Sequence, residues 1–200
     1  VWRDFYMAGG IRVGFGKPGS RDAGTLGNAR GDFNGDGALD LATVFSEQDG
    51  PRKDGIVVHH GNNDGTFDLV QRIDMGDIGL HGLLARDFDG DRRLDLVVVS
   101  TSQDRVYFLK GLADGTFAAP ASLGSPVGYQ TADEPIWALA DDLNGDGIWD
   151  LAVNSWGTDR ISFLIGVGDG SFAPFTMVTT RDFPAAFDLE DIDGDDDVDM

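Results

Sequence analysis

One nine-residue pattern, Asp-x-Asp/Asn-x-Asp-x-x-x-Asp, occurs four times in this chain, starting at Asp32, Asp87, Asp142 and Asp191. The copies stand 55, 55 and 49 residues apart, a spacing that belongs to a repeat architecture in which each unit packs on its neighbours. Oxygen-bearing side chains hold positions 1, 3, 5 and 9 of each copy. They are Asp32, Asn34, Asp36 and Asp40, then Asp87, Asp89, Asp91 and Asp95, then Asp142, Asn144, Asp146 and Asp150, then Asp191, Asp193, Asp195 and Asp199. Alternate placement in a tight loop turns these oxygens toward one centre. That arrangement suits a hard cation taking about six to eight oxygens at roughly 2.3–2.6 Å, so the pattern predicts up to four bound Ca2+. Magnesium suits it less, because it demands a near-ideal octahedron and keeps its waters. Position 4 is Gly35, Gly90, Gly145 or Gly194, which gives the reversal a permissive backbone. Position 7 (Ala38, Arg93, Ile148, Asp197) is expected to contribute only its backbone carbonyl, leaving its side chain free to vary.

An isolated acidic, Gly-rich stretch reads equally well as a solvated loop, but a disordered tract has no reason to keep apolar anchors in register. Here they recur at position 2 (Phe33, Phe88, Leu143, Ile192), position 8 (Leu39, Leu94, Trp149, Val198) and position 10 (Leu41, Leu96, Leu151, Met200). An EF-hand would place a bidentate Glu at position 12 and helices on both flanks. Position 12 is instead Thr43, Val98 and Val153. The loops run into short runs rich in branched residues, such as Leu96-Val97-Val98-Val99, which read as strands. The EF-hand and its dockerin relative are rejected on both counts. A second strand follows each, as in Val106-Tyr107-Phe108-Leu109, then Gly61, Gly111 or Gly166, and then a hairpin signal of the Asp-Gly-Thr/Ser-Phe type. A further strand, such as Ile136-Trp137-Ala138-Leu139, leads into the next loop. About four short strands per roughly 50 residues is the content of one propeller blade.

These features resemble the FG-GAP/VCBS repeat family, whose best-known member is the β-propeller head of integrin α subunits. The likeness rests on the Asp-x-Asp/Asn-x-Asp-Gly-x-x-Asp-Leu loop, clearest in residues 32–41 and 142–151, and on the glycine and phenylalanine turns in residues 61–67, 111–117 and 166–172. It implies an all-β propeller of four-stranded antiparallel blades, about four of them, in one domain over residues 1–200. Two loops depart at position 6, where Arg92 and Asp196 replace the glycine present as Gly37 and Gly147. Joining Met200 to Val1 keeps the repeat in phase. The expectation is therefore a window from a larger ring, such as a seven-bladed one, with a closed four-blade ring as the alternative.

The chain carries 35 acidic and 15 basic residues, a net charge of −20, which argues against nucleic acid as a partner. Fourteen of the acids sit at the ligand positions, so much of the charge belongs to the expected metal sites. No apolar run approaches the roughly 18 residues that would span a bilayer. With no cysteine to form staples, calcium is the expected fastener, and an extracellular, secreted or cell-surface setting provides it.

Several other motifs are discounted. Arg30-Gly31-Asp32 contains the triplet that integrins recognise, but Asp32 is already the first ligand of its loop. His59, His60 and His81 lack the spacing of a zinc site. No Gly-x-Ser-x-Gly elbow is present. Trp137, Trp149, Phe163 and Phe187 alternate within expected strands and read as core. The resemblance implies a calcium-binding, non-catalytic binding or adhesion module with a protein or carbohydrate ligand. Its metal loops would lie on one face of the disc and its partners on the other. That second face would be built from residues 46–53, 100–104 and 155–159, and from the links at 68–81, 118–134 and 173–184. Tyr129 and Trp156 are the expected exposed ligand-binding aromatics there. The alternative reading is an accessory or scaffold propeller of a secreted polysaccharide-degrading enzyme, or a lectin.

Overall fold

The computed structural model describes residues 5–6, 12–13, 27–47, 53–118, 128–180 and 188–189. Among them β1 (Phe5–Tyr6) and β2 (Arg12–Val13) form a two-stranded ladder, and three four-stranded antiparallel sheets follow. The first is β3 (Asn28–Gly31), β4 (Asp40–Glu47), β5 (Lys53–Gly61) and β6 (Phe67–Gly76). The second is β7 (Leu80–Arg86), β8 (Asp95–Ser100), β9 (Arg105–Leu109) and β10 (Gly128–Gln130). The third is β11 (Pro135–Asp141), β12 (Asp150–Ser155), β13 (Arg160–Leu164) and β14 (Thr176–Thr179). In every sheet, strands adjacent in sequence are adjacent in space, the meander of a propeller blade. The fourth expected loop, 191–199, and Phe187 lie outside the described residues, as does most of the segment before Gly27.

The core is divided between the seams that separate blades. Strand β8 reads Asp-Leu-Val-Val-Val-Ser and is buried along its whole length. Period-two alternation sends Leu96 and Val98 into the seam with the first blade, where they meet Val44, Ile56 and Val58. It sends Val97 and Val99 into the seam with the third blade, against Leu151, Val153 and Leu164. A strand buried on both faces has no polar alternation to keep, which is why the run is continuously apolar. Each such side chain contributes about 1.5–3 kcal/mol on burial, and a blade without neighbours would forfeit most of that.

Loop position 2 and the hairpin phenylalanine close each seam at its rim. Phe33 stacks edge-on against Phe117 of the next blade at 5.2 Å, and Phe88 against Phe172 at 5.7 Å. Position 8 reaches backward instead. Leu94 lies against Gly31, and the Trp149 ring sits 5.2 Å from the Arg86 guanidinium. The expectation that position 8 is a buried anchor therefore fails for Leu39, which is 55% exposed, because no described blade stands on the side it faces. Phe67, the first hairpin phenylalanine, is exposed for the same reason.

At the hub the first strands of successive blades approach backbone to backbone. A Cβ on Gly27 would lie 2.2 Å from the His81 carbonyl oxygen, and one on Gly82 would lie 2.9 Å from that of Ile136. Gly27 also donates its N–H to His81 O at 2.9 Å. The same repeat position in the third blade is Trp137, which is 39% exposed rather than core. Phe163 is only half-buried. The stretch read as a link at 68–81 is largely β6, a fourth strand that exposes Asp68 and Asp74 together with Phe67, Leu69 and Val70.

Candidate metal loops

Each described loop joins the first strand of its blade to the second, and the residue before it pairs with position 9 across the ladder: Gly31 with Asp40, Arg86 with Asp95, Asp141 with Asp150. The position 9 carboxylates are fully buried. Asp40 accepts the N–H of Phe33 at 2.7 Å and of Gly61 at 2.9 Å. Asp95 accepts those of Phe88 at 3.0 Å and Gly111 at 2.8 Å, and Asp150 those of Leu143 at 3.0 Å and Gly166 at 2.7 Å. One carboxylate thus ties together the loop, the second strand and the end of the third. Burial pushes the Asp95 carboxyl up to about 6, with Asp89 and Asp91 adding to it and the two N–H donors opposing it. Asp150 is raised by burial in the same way.

The remaining ligand positions are organised by the loop's own backbone. Asp32 accepts from Gly35, Asp36 and Gly37, and Asp142 accepts from Asp146 and Gly147. Position 3 oxygens accept the position 5 N–H at 2.9 Å in Asn34 and Asn144. Position 5 oxygens accept the position 7 N–H at 2.7 Å from Ala38 and 2.8 Å from Ile148. These donors hold the carboxylates ionised: the Ala38 N–H and the Asn34 amide draw Asp36 below the usual range, and chiefly the Gly147 N–H does so for Asp142. Asp32 spends both its oxygens on its own loop, so the Arg-Gly-Asp triplet is committed to the turn.

The second loop is built differently. Position 6 takes a left-handed backbone in all three loops, with φ of 84° at Gly37 and 83° at Gly147 but 68° at Arg92. A residue with a Cβ is held there at a cost of about 1 kcal/mol. Position 7 is not idle, as its variability suggested. The Arg93 guanidinium folds back onto Asp91, because a long side chain at this position reaches the position 5 carboxylate. Lys110 brings its ammonium onto Asp89 and, at 2.8 Å, onto Asp91. Burial pushes Asp91 upward, but the bonds from Lys110 and Arg93 outweigh it and leave its carboxyl below the usual range. Asp87, Asp89 and Asp95 each offer an oxygen within 4.8 Å of the others. Sequence reading missed Lys110, which lies between a strand and Gly111. The available signal was the column before the repeated glycine, which reads His60, Lys110 and Ile165.

His60 sits beside the first loop as a bridge between blades. Its Nδ1 meets Asn34 Nδ2 at 3.3 Å and its Nε2 meets Gly115 O at 3.2 Å. The tautomer with its proton on Nε2 makes both bonds.

In the first and third loops the donor set fits a hard cation. Each carries three carboxylates and one amide oxygen along its turn, and none of the carboxylates has a lysine or arginine partner among the described residues. Among the described residues, three acid oxygens converge within 4.8 Å in the second loop and not in these two. The second loop already contains a cationic group.

Of the two aromatics expected on the opposite face, Trp156 is 51% exposed and lies in the turn between β12 and β13. Tyr129 is not an exposed aromatic. Its ring packs edge-on against Phe172 at 5.1 Å, which covers it. One blade earlier the Gln71 amide holds the equivalent phenylalanine, bonding both the N–H and the carbonyl of Phe117. Tyr129 lies over the seam, half-buried.

The model of the FG-GAP-like repeat matches residues 32–98 and again 87–153, each time from the first aspartate of one loop into the strand after the next. No curated protein matches the chain.

Proposed function

The chain belongs to the FG-GAP-like repeat family, and on that premise we propose that it is a calcium-fastened, non-catalytic binding or adhesion module of the extracellular space. The observation that carries the reading is the position 9 clamp. A fully buried carboxylate joins the loop, the second strand and the end of the third beside loop carboxylates that have no lysine or arginine partner among the described residues in two of the three described loops. Asp32, Asn34, Asp36 and Asp40, with the Ala38 carbonyl, would hold one Ca2+. Asp142, Asn144, Asp146 and Asp150, with the Ile148 carbonyl, would hold another. The loop at 191–199, with the Asp197 carbonyl, repeats the pattern. Bound calcium supplies positive charge where folding gathers negative charge, and an ion that binds only the folded state stabilises it by about 2.7 kcal/mol per site at a hundred times its Kd.

Melting temperature should rise in calcium, and magnesium at equal concentration should not match the rise. Identical melting curves in calcium and in excess chelator would overturn the metal reading.

The face opposite the loops carries the turns after β8 and β12, and Trp156 is its exposed aromatic. A flat, half-exposed indole suits stacking on a sugar ring or anchoring a protein contact. On an array of glycans and extracellular matrix proteins, Trp156→Ala should lose retention at least tenfold. Its stability should stay within about 0.5 kcal/mol of wild type. Unchanged retention would remove this face from the proposal. Among the described residues no helix is long and apolar enough to cross a membrane, and the partner is sought in solution or on surfaces outside the cell.

A further inference from the structure

We propose that the second loop carries its own cation: the Lys110 ammonium takes the place that calcium takes in the first and third loops, so this loop folds without metal and binds calcium at least tenfold more weakly. The proposal rests on the calcium reading of the other two loops.

Placement is the first argument. The Gly111 N–H is bonded to Asp95 at 2.8 Å, the same clamp that fixes Gly61 and Gly166. The residue before that glycine is therefore held against the loop in each of the three described blades. In the first blade it is His60, which bonds an amide and a carbonyl, and in the third it is Ile165, which has no charge to offer. Only in the second is it a lysine, and its ammonium lies on Asp89 and Asp91, two oxygen donors that an ion would need.

Charge within the chain is the second. Position 3 is an amide in Asn34 and Asn144 but a carboxylate in Asp89. Among the three described loops, the one with the extra acid is the one with the lysine, and the extra acid is one of the two that the lysine touches. The fourth loop, which also has an acid there in Asp193, lies outside the described residues. Arg93 adds a second cation on Asp91. An ammonium is a compact point charge with three donors, the closest a side chain comes to a bound metal ion. A calcium ion entering here must displace Lys110 from the same oxygens and leave its charge nearby.

The test uses the whole chain and four proteins: wild type, Lys110→Ile, which copies residue 165, Lys110→Arg, which keeps the charge, and Lys110→Ile with Asp89→Asn. Calcium binding is measured by calorimetry and native mass spectrometry, and melting is measured in chelator. Lys110→Ile should bind one calcium more than wild type at the free calcium that just fills the wild-type sites, while Lys110→Arg should count as wild type. In chelator Lys110→Ile should melt several degrees below wild type, and calcium should remove the difference. Should Lys110→Ile fail to fold, the double variant, which reproduces the side-chain ligand set of the first and third loops, should still show the extra calcium. Equal calcium counts and affinities in all folded variants, or equal melting in chelator, would overturn the proposal. If no variant takes up calcium, the metal reading falls and the exclusion of calcium with it. The chelator melts then decide separately whether Lys110 neutralises the loop.

Discussion

Replacing Asp150 by alanine should cost about 2–6 kcal/mol, the loss expected when two buried N–H groups are left without acceptors. Those groups are the N–H of Leu143 at the start of the third loop and that of Gly166 at the end of β13. No other side chain reaches both, since the carboxylate lies fully buried between them. Asparagine should rescue little, because its amide nitrogen would face one of the two donors. The comparison variant is Asp146→Ala. Asp146 is exposed and accepts only the Ile148 N–H of its own loop. In urea titrations run in chelator, Asp150→Ala should be far less stable than Asp146→Ala. In calcium the two should draw closer, because each then loses a ligand. Equal losses in chelator would mean that the buried aspartate is a metal ligand and nothing more.

His59→Leu should stabilise the chain, and more at pH 5 than at pH 7.5. His59 is buried on β5, and neither ring nitrogen has a hydrogen-bond partner among the described residues. The equivalent residues of the other blades are Leu109 and Leu164, both buried. At pH 7.5 the neutral ring leaves one donor and one acceptor unmet, which costs about 1–3 kcal/mol. Below that pH a second cost appears. Burial lowers the folded pKa of His59 from 6.5, so the unfolded chain binds the proton first. Stability associated with the neutral ring is present above about 6.5 and is lost as the pH falls from there toward the folded value. The raised carboxyls of Asp95 and Asp150 act with the opposite sign. In the absence of metal, stability from Asp95 is complete below the unfolded carboxylate range and is lost as pH rises through about 6. Taking the difference between His59→Leu and wild type at each pH cancels those carboxyls. A flat difference across this range would mean that His59 finds a partner or water when charged.

What the sequence made legible was local in origin. The ligand loops could be read because their donors lie within nine residues of one another, and the strands because apolar runs and glycine turns are properties of short windows. The seams could not be read that way. Leu39 and Leu94 hold the same loop position, yet one is exposed and the other lies against Gly31, since the outcome depends on whether a blade stands alongside. Tyr129 sits between Gly128 and Gln130, a context that reads as surface. Its burial is decided by Phe172, more than forty residues away in sequence. Lys110 illustrates the same limit for charge. Nineteen residues separate it from Asp91, and only the antiparallel return of β9 brings its ammonium into the loop. Aligning the repeats of the chain with one another recovers part of what single-strand reading misses, because a column that changes from histidine to lysine to isoleucine marks where the blades have diverged.

The glycines at the hub set how closely blades are spaced. At Gly27 and Gly82 a bare backbone admits the next blade's first strand, so both described seams are closely spaced there. Trp137 breaks the series, and a strand laid beside β11 must pass over an indole rather than a peptide. A single large side chain at the centre of a disc opens the whole sector outside it, because every ångström of separation near the axis is carried outward along four strands. Spacing at the two described seams accordingly rests on one residue per repeat, and placing Trp at Gly27 or Gly82 would push the neighbouring blade away along its whole first strand rather than adjust a local contact.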